Sequence, residues 1–214
     1  MIKKIFGFLR FYRLPLYIIT NPVDGFYAMK YEKKGTIKVA LLNLVFLAIA
    51  DAINVQFTSV IVFPRHPQAM NTFGLWGNFH ILIMALALFC VANWSVTCLT
   101  NGEGRIKDIF MAVCYAMTPL ILTIIPATII SNFLAEQETG FYHMVLTIGV
   151  GYFVFLVFLG LLTVHNYTVV KALAMVVLTF VALLVIVFLI GLLLSLYTQL
   201  WNFIDSLRME IVFR

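Results

Sequence analysis

Charged residues are scarce in this chain, in which 11% of the 214 residues are charged and 63% are hydrophobic. An ordinary soluble domain has about 25% charged residues and about 45 to 50% apolar residues. This composition therefore excludes a water-soluble monomer. The 14 Lys and Arg and the 9 Asp and Glu are also absent from long stretches of the sequence. Such stretches predict segments that cross a membrane.

Cysteine is also scarce, because the chain has only 3 cysteines, without a Cys-x-x-Cys spacing. An odd number in this arrangement supports neither a disulfide framework nor a zinc site, and we interpret these residues as small apolar side chains. The predicted spans carry no His and Glu cluster, no Ser, His and Asp set and no paired carboxylates at metal-ligand spacing. We therefore expect no catalytic residues, no metal, no cofactor and no enzymatic activity. The four histidines, including His165, are interpreted as residues near the membrane interfaces.

Five apolar stretches are long enough to cross the membrane, which takes about 20 helical residues for about 30 Å of hydrocarbon. They are residues 37–63, 79–99, 109–134, 141–164 and 172–196. Each span should be helical, because lipid offers no hydrogen-bond partner to an open backbone. The predicted fold is an all-α integral membrane protein, a five-helix bundle over residues 37–196. Residues 1–36 precede the bundle and residues 197–214 follow it.

The basic residues predict the orientation of the bundle. Eight Lys and Arg residues lie before the first span or at its start, whereas the connection after that span carries only Arg65. Short cytoplasmic flanks retain positive charge. We therefore predict a multi-pass protein of the cell (inner) membrane with a cytoplasmic N-terminus and an extracytoplasmic C-terminus.

The N-terminal segment has the pattern of a basic amphipathic helix. Apolar residues recur there at helical spacing, and Lys3, Arg10 and Arg13 gather on another side. Together with Lys4 they are the predicted membrane-surface residues. This pattern predicts a helix on the membrane surface, against anionic lipid; a solvated basic tail is the alternative. Pro15 should end that helix, and residues 21–26 should form a turn. Residues 197–214 predict a second interfacial helix, outside the membrane.

Polar residues inside the spans are candidates for a site. Asp51 lies near the middle of the first span, where a carboxylate costs about 2.5 to 3.5 kcal/mol and should face protein or water. It shares one helix face with Asn43 and Asn54. Candidate site residues are Asp51, Asn54, Asn93, Tyr115 and Pro119. They could line a small hydrated cavity for a cation, a proton or a lipid headgroup. Alternatively, they form interhelical hydrogen bonds worth about 0.6 kcal/mol each.

The connection between the second and third spans is the most distinctive segment. Its predicted interaction residues are Gly102, Glu103, Gly104, Arg105, Lys107 and Asp108. The two glycines permit tight turns, and the acidic residues can pair with Arg105 and Lys107 at the inner surface. The spacing is not that of a phosphate-binding loop. The alternative is a short turn in which Asp108 caps the next helix.

These segments, taken together, carry a resemblance to a known family. The order Asn21-Pro22-x-Asp24-Gly25-Phe26, Asn93-Trp94, Gly102-Glu103-Gly104-Arg105 and Tyr115-x-x-x-Pro119 resembles the Yip-domain family, in particular its compact bacterial members. The resemblance covers residues 21–196. It implies five spans, a cytoplasmic N-terminus and an extracytoplasmic C-terminus, in agreement with the distribution of charge.

The resemblance also bears on partners. Eukaryotic relatives are linked to vesicle trafficking and to small GTPases of the Rab type through a longer N-terminal region. This chain lacks their Asp-Leu-Tyr-Gly-Pro motif, and Cys114 stands where they usually have Gly. We therefore do not expect a Rab-type partner here, and we expect no nucleic acid.

Two functions remain open. The first is a non-enzymatic membrane protein that associates with lipids, with other membrane proteins or with copies of itself, through the N-terminus and the Gly102 to Asp108 loop. The alternative is a transporter or channel for a small cation, a proton or a lipid. Its site would be Asp51 and the third span, in which prolines expose backbone carbonyls.

Overall fold

The structure is a computed structural model that describes residues 12–58, 73–100 and 102–212. This part of the chain contains eight α-helices and no strand. They are α1 (Arg13–Thr20), α2 (Pro22–Lys30), α3 (Ile37–Phe57), α4 (Phe73–Leu99), α5 (Ile106–Ala116), α6 (Thr118–Ser131), α7 (Thr139–His165) and α8 (Val169–Val212). A 3-10 turn, Glu136–Glu138, precedes α7.

Five helical segments are long and apolar enough to cross a membrane, which confirms the predicted all-α fold with five spans. The helices α3, α4, α7 and α8 each supply one span, and α5 with α6 supplies the third. Some bounds differ from the prediction. The helix α3 ends at Phe57, and α8 continues without a break to Val212, through the segment expected to form a separate interfacial helix. The position of residues 197–214 at an interface stays a prediction.

The third span lies at the centre of the bundle. It contacts α3, α4 and α7, and 61% of its most apolar stretch of 18 residues is buried. The helix α8 lies at the edge, where it packs mainly on α4, and only 6% of its corresponding stretch is buried. The bundle therefore has one enclosed span with the others around it. At one end of the bundle, the helices α2, α4 and α7 end and the helices α3, α5 and α8 begin. We call this the loop end.

The third span is broken at Met117, between α5 and α6. Pro119 in the first turn of α6 has no N–H to donate to the carbonyl of Tyr115. That carbonyl instead accepts the hydroxyl of Thr118 at 2.6 Å. The amide of Asn43 donates to the neighbouring carbonyl of Cys114, also at 2.6 Å. The two carbonyls next to the break thus accept hydrogen bonds from side chains of the protein.

The helices α1 and α2 form a hairpin that turns at Asn21. Pro15 lies in the first turn of α1 and Pro22 begins α2, positions where the missing N–H leaves no helical bond unmade. The expectations that Pro15 ends a helix and that residues 21–26 form a turn are therefore wrong. A Cβ atom on Gly25 would lie 2.6 Å from Cγ1 of Ile18. The absence of a side chain at Gly25 lets the two helices approach closely.

One face of the hairpin packs on the bundle, and its other face is exposed. Phe26 is completely buried and lies against Gly160 of α7. The hydroxyl of Tyr152 donates to the carbonyl of Ile19, at the tip of the hairpin. Tyr152 lies about 20 Å from the His165 end of α7, at about 1.5 Å per residue. The tip of the hairpin is therefore level with the middle of α7.

The predicted surface helix falls mostly outside the described residues. Lys3, Lys4 and Arg10 belong to residues 1–11, which the structure does not describe, and Arg13 is exposed at the start of α1. The packing of residues 13–30 on the bundle was not predicted from the sequence.

Candidate functional site

Asp51 faces a cavity of about 390 Å³ between α3, α4 and α6. The other lining residues in the described part of the chain are apolar: Leu47, Ala48, Phe79, Ile81, Leu82, Ala85 and Ile124. Asn54, Asn93, Tyr115 and Pro119 are not among them. Asn54, Tyr115 and Asn93 form separate hydrogen-bonded contacts.

Asn54 joins three helices at the end of the bundle away from the loop end. Its Nδ2 atom donates to the hydroxyl of Thr128 in α6 at 2.9 Å. The hydroxyl of Tyr142 in α7 lies 2.9 Å from Nδ2 and 3.1 Å from Oδ1 of Asn54. These contacts fit the interpretation of interhelical hydrogen bonding.

Tyr115 and Asn43 tie the third span to the N-terminal part of the bundle. The hydroxyl of Tyr115 lies 3.2 Å from the backbone N and 3.3 Å from the carbonyl O of Thr36, just before α3. Asn43 is completely buried and accepts the hydroxyl of Tyr12. Burial raises the pKa of Tyr12 to about 12, so this hydroxyl stays protonated as a donor. Pro119 is buried at the break that these contacts close.

Asn93 lies with the distinctive loop and His165. The backbone N–H of Gly104 donates to Nδ1 of His165 at 3.2 Å. Nε2 of the same ring lies 3.1 Å from Oδ1 of Asn93. The structure thereby joins the Asn-Trp pair of α4 and the Gly-Glu-Gly loop through one imidazole. These two motifs are separate in the sequence.

The close approach of the loop to His165 and Tyr167 requires glycine at positions 102 and 104. A Cβ atom on Gly104 would lie 2.5 Å from Cε1 of His165, and one on Gly102 would lie 2.4 Å from the hydroxyl of Tyr167. Contacts below 3.0 Å are essentially absent for real Cβ atoms. The backbone of the loop therefore lies directly on the rings of His165 and Tyr167.

Sequence reasoning did not single out His165 as a site residue. The ring is only 2% exposed and stacks on Tyr167, with ring centroids 5.3 Å apart. Asn166, which follows it, has a left-handed φ of 54° and ends α7. Asn is enriched in this conformation, so an Asn at the end of an apolar run was the available signal. It marks His165 as the last residue of a helix that turns back.

Glu103 pairs with a cation that the sequence did not indicate. Its carboxylate lies 3.6 Å from Nζ of Lys30 and accepts the hydroxyl of Tyr31 at 3.2 Å. Nζ of Lys30 also donates to the carbonyl of Val164, near the end of α7, at 2.6 Å. The expected pairing of Glu103 with Arg105 or Lys107 is wrong among the described residues.

The loop is also held by α5 and α8. The carboxylate of Asp108 accepts the backbone N–H of Arg105 at 3.2 Å, which confirms Asp108 as a cap of the third span. Nζ of Lys171 donates to the carbonyl of Thr100 at 3.1 Å and lies 4.3 Å from the ring centroid of Tyr167. The backbone is therefore fixed from several sides, while the side chains of Arg105 and Lys107 are exposed.

Further basic residues are exposed at the loop end. They lie between α2 and α3 or at the start of a helix: Lys33, Lys34, Lys38 and Lys171. Together with Arg105 and Lys107 they form a set that we call the basic end. Among the residues that the structure describes, no group of three or more His, Cys, Asp and Glu side chains could hold a metal ion.

The five apolar helical segments define a multi-pass membrane protein. Residues 16–201 match the family model of the Yip1 domain, so the chain belongs to the Yip1-domain family. This finding confirms the resemblance that the sequence motifs indicate. Comparison with curated proteins finds no match, and neither does comparison with solved structures.

Proposed function

We propose that this protein is a non-enzymatic membrane protein that acts by association at the basic end. Its partners are anionic lipid headgroups or the acidic surfaces of other membrane proteins, including copies of itself. The observation that supports this proposal is the fixed backbone of residues 102–104, directly followed by the exposed side chains of Arg105 and Lys107.

A fixed loop favours association because less conformational entropy is lost when a partner binds. The hydrogen bond from Gly104 to His165 and the contacts of Glu103 with Lys30 and Tyr31 already order this segment. Exposed cations near a membrane surface each contribute about 1 kcal/mol of attraction to anionic lipid. The basic end supplies six exposed cations, of which Lys34 pairs with Glu32: Lys33, Lys34, Lys38, Arg105, Lys107 and Lys171.

The proposal includes the orientation predicted from the charges. With the basic end in the cytoplasm, these cations face the leaflet that carries most anionic lipid. Lys3, Lys4 and Arg10 would add to the attraction on the same side. A Rab-type GTPase is not part of the proposal.

Reversal of the two loop charges tests the proposal. The variant carries Arg105→Glu together with Lys107→Glu, and the control carries Arg208→Glu on the exposed distal part of α8. Each is purified in mild detergent, and bound lipids and proteins are identified by mass spectrometry. We expect the loop variant to insert and melt like the parent but to lose anionic lipid or a co-purifying protein. The Arg208 control should keep both.

Two results would contradict the proposal. One is a parent protein that purifies as a bare monomer without lipid or partner. The other is a loop variant that retains the same lipids and partners as the parent.

The cavity beside Asp51 supports a second candidate function, transport of a small cation, a proton or a lipid. A carboxylate within an apolar cavity of about 390 Å³ has the chemistry to attract a cation or a polar headgroup. The test is flux in proteoliposomes, with Asp51→Asn as the variant and Asp205→Asn, on the distal part of α8, as the control. We expect Asp51→Asn alone to abolish flux. Equal flux in both variants, or no flux in the parent, would exclude this function.

A further inference from the structure

A chain of hydrogen bonds with defined direction runs from the loop to α8. The hydroxyl of Thr179 donates to the carbonyl of Met175 at 2.7 Å, so its oxygen accepts Nδ2 of Asn93 at 3.0 Å. This orientation turns Oδ1 of Asn93 toward Nε2 of His165, 3.1 Å away. Because Oδ1 can only accept, the proton of the imidazole lies on Nε2.

The other imidazole nitrogen must then carry a lone pair. The backbone N–H of Gly104 donates to Nδ1 of His165, and a backbone N–H can only donate. The closed loop is therefore compatible with the neutral ring in this one tautomer. A second proton, taken from water, would bind at Nδ1 and would face the N–H of Gly104. That hydrogen bond would be lost, and two donors would be opposed.

Some surroundings of the ring disfavour a protonated imidazole, and others favour it. Burial of the ring acts most strongly against a positive imidazole, Lys30 of α2 also acts against it, and Asp108 of α5 favours it. Lys171 of α8 lies over Tyr167, on which the imidazole stacks, and Glu103 of the loop is held by Lys30. From the described part of α4, two neutral polar residues, Asn93 and Thr97, lie at this surface.

We propose that residues 102–104 and His165 form a pH-sensitive latch, closed on the neutral imidazole and released when the imidazole takes up a proton. Histidine is the side chain whose charge ordinarily changes between about pH 5 and pH 8. Release frees residues 102–105, and with them the side chain of Arg105, so acidification weakens association at the basic end. The regulatory part of this inference rests on the proposed function, whereas the latch itself does not.

Spin labelling of the loop measures the latch without any partner. Arg105→Cys is labelled in the full chain, reconstituted in nanodiscs of zwitterionic lipid without anionic headgroups, with the exposed Cys98 replaced by Ser. A label at Lys107→Cys, within α5, is the matched control. Electron paramagnetic resonance spectra are recorded from about pH 8 down to about pH 4, because burial disfavours the charged imidazole. We expect a severalfold, reversible increase in the mobile component at position 105 and little change at position 107.

Three variants identify the titrating group. His165→Gln cannot take up the proton, so its spectrum should not change with pH. Glu103→Gln removes one further titratable side chain of the loop and should keep the pH response of the parent. Lys30→Met removes a cation that opposes the protonated ring, so the midpoint should move to higher pH. This shift keeps the proposal testable if the His165 variant does not fold.

Defined results would overturn the latch. One is a spectrum of the parent at position 105 that stays constant over the pH range. A second is a His165→Gln variant that responds like the parent, and a third is a Lys30→Met midpoint that stays or falls. Because these measurements involve no partner, failure of the latch is distinct from failure of the association test.

Discussion

At the scale of single residues, the loop glycines make the sharpest prediction. Gly104→Ala would place a methyl group 2.5 Å from Cε1 and 2.7 Å from Nδ1 of His165. The ring cannot easily yield, because Asn93 and Tyr167 hold it. Such overpacking typically costs about 1 to 3 kcal/mol. We expect the melting temperature of the purified protein to fall by several degrees.

Gly151→Ala is the matched control for this substitution. Gly151 lies exposed in α7, with no atom within 4 Å of the position that a methyl group would take. Its replacement should leave the melting temperature unchanged or raise it slightly, because Ala is a better helix former than Gly. Equal melting temperatures for Gly104→Ala and Gly151→Ala would show that the loop does not lie on His165.

At the scale of helices, the position of the α1–α2 hairpin predicts that its tip is protected from water. Thr20 is exposed at the tip of the hairpin, which is level with the middle of α7. If the span is embedded in the membrane, a cysteine at this position faces lipid. The measurement uses membrane vesicles that contain the chain with Cys98 replaced by Ser. We expect Thr20→Cys to react with a water-soluble maleimide several-fold more slowly than Lys33→Cys. Lys33 is exposed between α2 and α3.

Equal labelling of the two cysteines would place the hairpin in water. The same comparison in detergent, after unfolding with a strong denaturant, provides the reference. There both thiols should react at similar rates, because no structure then shields Thr20→Cys.

The spans could be predicted from the sequence, whereas the hairpin could not, for a physical reason. A span requires about 20 apolar residues, and this requirement is visible in any window of the chain. The hairpin depends on tertiary contacts, such as Phe26 on Gly160 and Tyr152 on Ile19, that no local pattern shows. Pro15 and Pro22 suggested breaks in isolation, although both lie in first turns, where proline is tolerated.

For the candidate site too, the local motifs could be predicted from the sequence, whereas the tertiary contacts could not. The Asn-Trp pair, the Gly-Glu-Gly loop and Tyr115 were visible as motifs, and their family was predicted correctly. Their grouping was not visible, because His165 joins Asn93 and Gly104 across 72 and 61 positions of the sequence. A proline indicated the break in the third span. Only the structure shows that Asn43 and Thr118 take up the adjacent carbonyls.

At the scale of the whole molecule, the bundle and the distal part of α8 should behave independently. The helix α8 has 44 residues and is about 66 Å long, whereas the hydrocarbon core is about 30 Å thick. It packs on α4 through residues such as Thr179, but residues 187–210 are all exposed. These distal side chains therefore contribute little to the stability of the bundle.

Deletion of residues 197–214 tests this independence. Because the distal helix buries no described side chain against the bundle, we expect the melting temperature to change by no more than about 2 °C. Thr179→Val is the contrasting variant. It leaves Nδ2 of the buried Asn93 without its acceptor, which costs about 1 to 3 kcal/mol. A deletion as destabilising as Thr179→Val would mean that the distal helix packs on the bundle, so the bundle could not be treated as a separate unit.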